Sequence, residues 1–238
     1  RTFIANARST VEVYEKFEEK FLNSAKVKPT FSVSMQHYTF AVNAFVDLIK
    51  ENGYDDVQYS VKETQTNEVI ENVKTLISEV GVIALSDYNR AKFNKIFAAS
   101  SLEFHELFEC NSYVYLWKNH PLADRGELSL EELQDYPCMV FDQGENSSFY
   151  FREEALATYD YKRVISTNER ATSMELMIGL DGYAVGSGLL DASLNTSDFN
   201  VIKLKEEETL TLGYIVRAGV ELSELAQLYI KKLEEYRV

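Results

Sequence analysis

The segment "SMQHYT", residues 34–39, gathers polar side chains around His37, one of the chain's three histidines. A histidine can act as a general acid or base, bind a metal, or contact a small molecule. A catalytic base needs a partner that positions it, and the local sequence around His37 shows none. We therefore expect His37 to be one of several contacts to a small molecule. The alternative is a histidine at the surface or between two lobes of the protein, with its hydrogen bonds satisfied and no contact to a ligand.

No other pattern in the chain predicts metal binding or catalysis. His37, His105 and His120 lack the HxxxH and HExxH spacings of zinc sites. No serine lies in a GxSxG elbow, and "GSG" at residues 186–188 lacks the GxGxxG spacing of a dinucleotide loop. We expect no catalytic residue, no metal, no cofactor and no enzymatic activity.

Several charged residues could either lie on the solvated surface or have a functional role. The carboxylate pair Glu153–Glu154 and the run Glu206–Glu208 are expected to be solvated faces. Arg170 and Lys62 could neutralise an anion, and a solvated surface position is the alternative for both.

Polar residues next to predicted helix starts also have two possible roles. Residues 64–67, "TQTN", could cap the following helix or contact a ligand, and the same holds for Ser147 and Ser148. Several such helix starts converge on one predicted cleft, which favours the ligand interpretation.

The composition excludes other classes of protein. With 238 residues, 45% of them hydrophobic, the chain can bury a real core. A formal net charge of −14, without a basic run or a helix-turn-helix, opposes direct binding to nucleic acid. No apolar run approaches membrane-span length, so no membrane partner is expected. Cys110 and Cys138 form no CxxC motif and indicate buried thiols in a reducing compartment.

The elements that must position these side chains begin with a predicted helix over residues 1–25. The apolar pattern next predicts strand "TFSVS", helix 39–51 ended by Gly53, strand "VQYSVKE", a helix opened by Asn67 and closed by Gly81, and strand "VIALSD". This βαβαβ order implies a parallel sheet with right-handed crossovers.

A second strand–helix series follows. The stretch "LEFHELFECNSYVYLWKNHPL" is too long for one strand, so we expect strands broken near Asn111 that pass between two lobes. The further predictions are a capping box from Ser129 to Glu132, strand "CMVFD", helix "SSFYFREEALATY", strand "KRVIST", helix "ERATSMELMIGLDG", strands "YAVGSG", "FNVIKL" and "TLTLGYIVR", and a helix over 221–237. Two lobes should face each other across a cleft, where α/β sheets bind ligands.

Several motifs resemble LysR-type transcriptional regulators. Residues 117–144, "WKNHPLADRGELSLEELQDYPCMVFDQG", are similar to the family's strand, His-Pro-Leu-Ala, "SLEEL" helix, proline and strand with a polar loop. "EVIENVKTLISEVGVIAL" resembles the helix before its "D(I/L)GI" strand, with Glu79 replacing the usual aspartate. "GLDGYAVGSGLL" resembles another strand and loop, with Gly188 where proline often falls. "ELAQLYIKKLEEYR" resembles the C-terminal helix.

The resemblance implies an α/β fold of two Rossmann-like lobes with a central cleft, periplasmic-binding-protein-like, preceded by an N-terminal linker helix. The linker helix and its connection would span residues 1–28. Lobe I would span 29–112 plus 213–238, and lobe II 113–212. The chain would be the cytoplasmic effector-binding domain of such a regulator, a homodimer or homotetramer. DNA would be bound only through a winged helix-turn-helix, which these residues do not contain.

By the same resemblance, a small-molecule effector, a polar or anionic metabolite, would bind between the lobes and shift the oligomer geometry. The matching ligand-binding positions are Ser34, Gln36, His37, Thr39, Thr66, Gln143, Asn146, Ser147 and Thr172. A stand-alone solute-binding protein of the same bilobal fold is the alternative function. An enzyme on that fold is less favoured.

Overall fold

The computed structural model describes residue 11 and residues 28–144, 148–189 and 198–236. The predicted linker helix and its connection, residues 1–28, lie almost wholly outside these residues. None of the helices within the described ranges combines the length and the apolar character that crossing a membrane requires.

The described strands and helices alternate for most of the chain. In chain order they are β1 (Thr30–Met35), α1 (Thr39–Asn52), β2 (Gln58–Glu63), α2 (Thr66–Lys74), β3 (Val80–Ser86), α3 (Asp87–Ser100), β4 (Leu102–Cys110), β5 (Tyr113–Trp117), β6 (Glu127–Leu128), β7 (Cys138–Phe141), a 3₁₀ turn (Phe149–Phe151), β8 (Val164–Thr167), α4 (Arg170–Leu180), β9 (Tyr183–Gly186), β10 (Phe199–Leu204), β11 (Leu210–Arg217) and α5 (Glu224–Glu234).

The first sheet has the strand order β2-β1-β3-β11-β4. Strand β1 pairs in parallel with β2 and β3, as the βαβαβ pattern predicted. Strand β11 runs antiparallel between β3 and β4. Because β3 is buried along its whole length, it forms the centre of this lobe. The carboxyl ends of β1 and β3 therefore lie side by side, next to the turn that carries His37.

Helices cover both faces of the first sheet. On one face α1 and α5 pack through aromatic residues, where Phe31 stacks on Phe45 and Tyr229 contacts both rings edge-on. On the other face, α2 and α3 pack through Val69 and Phe93. Helix α1 ends at Gly53, whose φ of 83° lies in the left-handed region, as the sequence predicted.

The second sheet has the order β6-β10-β5-β9-β7-β8. The chain enters it where β4 ends and β5 begins, so the predicted break near Asn111 is confirmed. It returns to the first sheet through β11. The division into lobe I, residues 29–112 plus 213–238, and lobe II, residues 113–212, stays a proposal. All of β11, Leu210–Arg217, pairs with β3 or β4 of the first sheet.

Helix α3 was not expected from the sequence. Ser86 and Asn89 form a reciprocal capping box at its start, and Phe93 and Phe97 are buried one turn apart. The cap is visible in "SDYN", but only two of the 14 helical residues are buried aromatics, so the apolar stripe is weak.

The predicted helix "SSFYFREEALATY" is wrong. The structure has a 3₁₀ turn over Phe149–Phe151 and then turns, because Arg152 is extended and Leu156 adopts a positive φ of 55°. Phe151 packs on the core of the first lobe, against Phe93. Contacts to other parts of the chain thus override the local helical pattern.

Gly81 does not close a helix. Helix α2 ends at Lys74, and Gly81 lies inside β3. A Cβ atom there would approach side-chain carbons of Val73 and Ile215 to 2.8 Å and of Val69 to 2.9 Å. The glycine is therefore needed for the close approach of α2 to the sheet.

The predicted "SLEEL" helix is a series of turns. The capping-box bonds themselves are present: the Ser129 amide donates to Glu132 Oε2 at 2.9 Å, and the Glu132 amide donates to Ser129 Oγ at 3.4 Å.

Candidate functional site

His37 lies in the short turn between β1 and α1, where the chain leaves the carboxyl end of the first sheet. The turn is held by Gln36, whose side chain is fully buried. Gln36 Oε1 accepts a hydrogen bond from the Ala84 amide at 2.7 Å, and its Nε2 donates to Thr66 Oγ1 at 2.6 Å. These bonds tie the turn to β3 and to the start of α2, so the position of His37 is fixed by the sheet.

His37 pairs with Glu153, a residue 116 positions later in the chain. His37 Nδ1 lies 2.6 Å from Glu153 Oε1, and the His37 amide donates to Glu153 Oε2 at 3.1 Å. The imidazole also stacks on Phe141, with 3.6 Å between ring centroids. A carboxylate from the second sheet's lobe thus holds both the backbone and the ring of a residue from the first lobe.

The environment of His37 favours its charged form. Burial alone would lower the pKa of His37, but the charge of Glu153 and the hydrogen bond to it outweigh that effect, so the pKa is raised. The side chains of His37 and Glu153 are only 5% and 4% exposed. This is a buried ion pair between the two lobes, which costs free energy to break when one partner is removed.

A second set of contacts joins the lobes beside this pair. The Thr66 amide donates to Gln143 Oε1 at 3.0 Å, and Thr66 Oγ1 donates to the Phe151 carbonyl at 2.7 Å. Gln143 is 3% exposed, and its Nε2 has no hydrogen-bond partner among the described residues. The predicted positions Gln36, Thr66 and Gln143 therefore meet in one buried network.

A cavity of about 290 Å³ lies between the two lobes, directly beside His37. The first lobe contributes residues 37–40 from the turn and the start of α1. The second lobe contributes side chains from β5, β7, α4 and β9, and from the segments around them. The lining residues are His37, Tyr38, Thr39, Phe40, Tyr115, Met139, Phe141, Glu153, Glu154, Arg170, Ser173, Met174, Met177, Ala184, Val185, Gly186, Ser187, Leu189 and Phe199.

Glu154 is a carboxylate enclosed at this cavity. It is 9% exposed, and its Oε1 accepts a hydrogen bond from the Phe141 amide at 2.6 Å. Its Oε2 has no partner among the described residues. Burial, together with the charge of Glu153, raises the pKa of Glu154 to about 7. The group can therefore change its charge near neutral pH.

The expectation that Glu153–Glu154 is a solvated face is wrong, because both side chains are buried. The run Glu206–Glu208 is only partly solvated. The carboxylate of Glu206 accepts from the Leu130 amide at 3.1 Å, and that of Glu208 accepts from the Leu156 amide, whereas Glu207 is exposed. These carboxylates compensate backbone amides that lie outside regular helices and strands.

The remaining predicted site residues are scattered. His37 and Thr39 line the cavity. Ser34 is buried away from it, accepting from Asn72 Nδ2 at 3.0 Å and contacting Ser78 Oγ at 2.8 Å. Thr172 is exposed and does not line the cavity. Asn146 and Ser147 lie outside the described residues.

The two candidate anion-binding cations have other partners. Lys62 Nζ donates to the hydroxyls of Ser32 and Ser60 at 3.1 and 3.2 Å. Arg170 lines the cavity and forms an ion pair with Glu63. Within the described ranges, no group of three or more His, Cys, Asp or Glu side chains is placed to hold a metal ion.

The sequence interpretation missed most of the cavity. Its walls come from apolar side chains of the second lobe, including Tyr115, Met139 and Phe199, and from Glu154. The available signal was that "EE" at 153–154 lies between "FYFR" and "ALA", an unusually apolar setting for a solvated pair.

Comparison with known proteins gives a consistent assignment. Residues 37–237 match the LysR substrate binding domain family. The fold is similar to HinK, a LysR family transcriptional regulator from Pseudomonas aeruginosa, with 15% identity, coverage of 98% of this chain and 78% of that chain, and a TM-score of 0.59. No curated protein matches the sequence.

Two further solved structures are isolated domains. The reduced OxyR regulatory domain from Pseudomonas aeruginosa is 16% identical, with coverage of 89% of this chain and 100% of that chain and a TM-score of 0.63. The effector binding domain of QuiR in complex with shikimate is 13% identical, with coverage of 89% and 98% and a TM-score of 0.56. At these identities the similarity shows the fold alone.

The expected fold, two α/β lobes of the periplasmic-binding-protein-like kind, is confirmed. LysR regulators bind small-molecule effectors and act as oligomers, and this family consists of regulatory domains, not typically of enzymes. The match over residues 37–237 shows that the chain belongs to the LysR substrate-binding domain family, the ligand-sensing regulatory domain of LysR-type transcriptional regulators.

Proposed function

We propose that this chain senses a small-molecule effector in the cavity between its two lobes. The observation that carries the proposal is that residues 37–40 of one lobe and at least four elements of the other lobe bound the same cavity. A ligand there touches both lobes, so its binding free energy depends on the angle between them. A ligand shifts such an equilibrium only by its differential affinity for the two arrangements.

The contacts around the cavity supply a path for the signal. Glu153 bonds to His37 across the lobes, and its neighbour Glu154 bounds the cavity. An effector that displaces or charges Glu154 therefore acts one residue from the interlobe ion pair. We propose His37 and Thr39 as effector contacts, and Gln36, Thr66 and Gln143 as residues that set the closed arrangement. For Ser34 and Thr172 the geometry supports no contact with a ligand in this cavity.

Membership of the family supports a proposal for how the signal is passed on. We propose that the chain works in the cytoplasm as a homodimer or homotetramer, and that the interlobe angle changes the oligomer geometry. We propose that DNA is bound through a winged helix-turn-helix and not by this domain. The net charge of −14 supports this division, because a surface of that charge repels phosphate.

The test is to fill the cavity and ask whether effector binding is lost. Ser173 lines the cavity on α4 and is 6% exposed, so Ser173→Leu places an isobutyl group in it. Thr172→Leu is the matched control, because Thr172 is exposed on the same helix and outside the lining. Wild type and both variants are screened by thermal unfolding against a library of small metabolites, and hits are titrated by calorimetry.

We expect at least one compound to raise the Tm of wild type and of Thr172→Leu, and to leave Ser173→Leu unchanged. The proposal is overturned if no compound binds wild type, or if every compound that binds does so equally well to the filled variant. A folded Ser173→Leu protein is verified first by its circular dichroism spectrum.

A further inference from the structure

The cavity wall is mostly apolar and aromatic. Its side chains come from both lobes, and three methionines adapt the wall to irregular ligand shapes. The apolar lining residues with large side chains are Tyr38, Phe40, Tyr115, Met139, Phe141, Met174, Met177, Val185, Leu189 and Phe199. A volume of about 290 Å³ is at the small end of ligand pockets, so it fits a molecule of roughly one ring.

Both cationic side chains in the lining are already neutralised. His37 is paired with Glu153 at 2.6 Å, and Arg170 with Glu63. A carboxylate or phosphate entering the cavity would have to break one of these pairs or remain without a cationic side chain as partner in a mostly apolar site. Burial of an unpaired charge is strongly unfavourable. The described lining therefore disfavours an anionic effector.

Glu154, in contrast, has no cationic partner. It lines the cavity and forms no ion pair with any described residue, and its Oε1 accepts a hydrogen bond from the Phe141 amide. A buried carboxylate without a cation is destabilised, and a hydrogen bond from a ligand would recover part of that free energy. An ammonium group would also supply the missing positive charge.

Resting on the proposed function, we propose that the effector is a small apolar molecule with one hydrogen-bond-donating group, an amine or a hydroxyl, and no carboxylate. The donor bonds to Glu154, and the apolar body packs against the aromatic and methionine side chains of the wall. This chemistry differs from the polar or anionic metabolite that the loop composition suggested, because of the described polar loops only the turn at residues 37–39 reaches the wall.

Three probes with the same phenyl ring and a two-carbon side chain separate the possibilities: phenethylamine, phenethyl alcohol and phenylacetate. Each is titrated by calorimetry into wild type, Glu154→Gln and the surface control Thr172→Leu, at about pH 8, where the carboxylate form of Glu154 dominates. Glutamine keeps the shape of the side chain and removes its charge.

We expect phenethylamine to bind wild type at least about tenfold more tightly than phenylacetate, the effect of one charge-assisted hydrogen bond. Glu154→Gln should weaken phenethylamine by about tenfold and phenethyl alcohol by less. Thr172→Leu should change neither. If Glu154→Gln does not fold, the ranking of the three probes on wild type decides.

Phenylacetate binding as tightly as phenethylamine, no binding by any probe, or amine and alcohol affinities that Glu154→Gln leaves unchanged would each overturn the inference. These failures differ from a failure of sensing itself. If library compounds bind wild type and lose binding to Ser173→Leu while all three probes fail, the cavity is the sensing site and only the effector class is wrong.

Discussion

Glu154 should make the folded protein less stable as the pH rises through neutrality. The folded state holds its proton up to about pH 7, because burial raises the pKa of Glu154 to about 7 from 4.5. The unfolded chain releases the same proton near its ordinary pKa. Between these values the unfolded state binds fewer protons than the folded state, so stability falls with increasing pH. The contribution of Glu154 is fully present below the unfolded pKa and is lost above the folded pKa.

The magnitude follows from the width of that window. A shift from 4.5 to about 7 corresponds to about 3 kcal/mol at the free energy of one pKa unit, ~1.4 kcal/mol. Glu154→Gln removes this titration and leaves the other groups in place. The free energy of unfolding of wild type should therefore fall by about 3 kcal/mol more than that of the variant between about pH 4 and about pH 8. Urea unfolding followed by tryptophan fluorescence and circular dichroism measures both.

The variant also serves as the baseline for other titrating groups. His37 has a raised pKa, so its stabilising contribution is also lost as the pH rises, and taking the difference between the two proteins largely cancels it. Glu131→Gln is the control, because Glu131 is an exposed carboxylate of the same lobe. If wild type and Glu154→Gln lose stability equally over this range, Glu154 is not buried as the structure shows. The proposal that a ligand donor bonds to a buried Glu154 carboxylate then fails as well.

Three further outcomes test the framework around the cavity. Gln36→Ala should lower the free energy of unfolding by about 2–4 kcal/mol in urea, since two buried groups lose their hydrogen bonds, and an effect below about 1 kcal/mol would contradict this. Gly81→Ala should cost about 1–3 kcal/mol through overpacking against α2, while Gly126→Ala, with open space around it, should stay within about 0.5 kcal/mol. Glu153→Gln should lower the pKa of His37 below its ordinary value in an NMR titration, because burial remains and the attraction is gone; an unchanged His37 titration would refute the ion pair.

Much of the fold could be predicted because the apolar periods are local properties of the chain. Strands β1, β2 and β3 alternate or are continuously apolar, and helix α1 carries a clear stripe ended by Gly53. Their order then fixes a parallel sheet. The errors fall where tertiary contacts override the local pattern. The predicted helix at 147–159 has helical spacing, but Phe151 packs against the core of the first lobe.

The sequence predicted where the candidate site lies but not which residues contact each other there. The turn at His37 follows from its place after a strand of a parallel sheet, and the structure does put it beside an interlobe cavity. The partner of His37 could not be found, because Glu153 is 116 residues away and no local spacing connects them. Ser34 and Gln36 were predicted as ligand contacts. In the structure the Ser34 hydroxyl bonds to Ser78, and the Gln36 side chain bonds to Ala84 and Thr66.

This difference between location and chemistry has a physical origin. The residues at the carboxyl ends of strands must satisfy the backbone groups that the strands and helices leave unpaired, so they are polar whether or not a ligand binds. Their composition therefore reports on the protein's own hydrogen bonds. We propose that, beside His37 and Thr39, a ligand meets side chains without such bonds, which are the apolar wall and the Glu154 carboxylate. On that proposal, the selectivity of the site comes from one carboxylate in a mostly apolar enclosure.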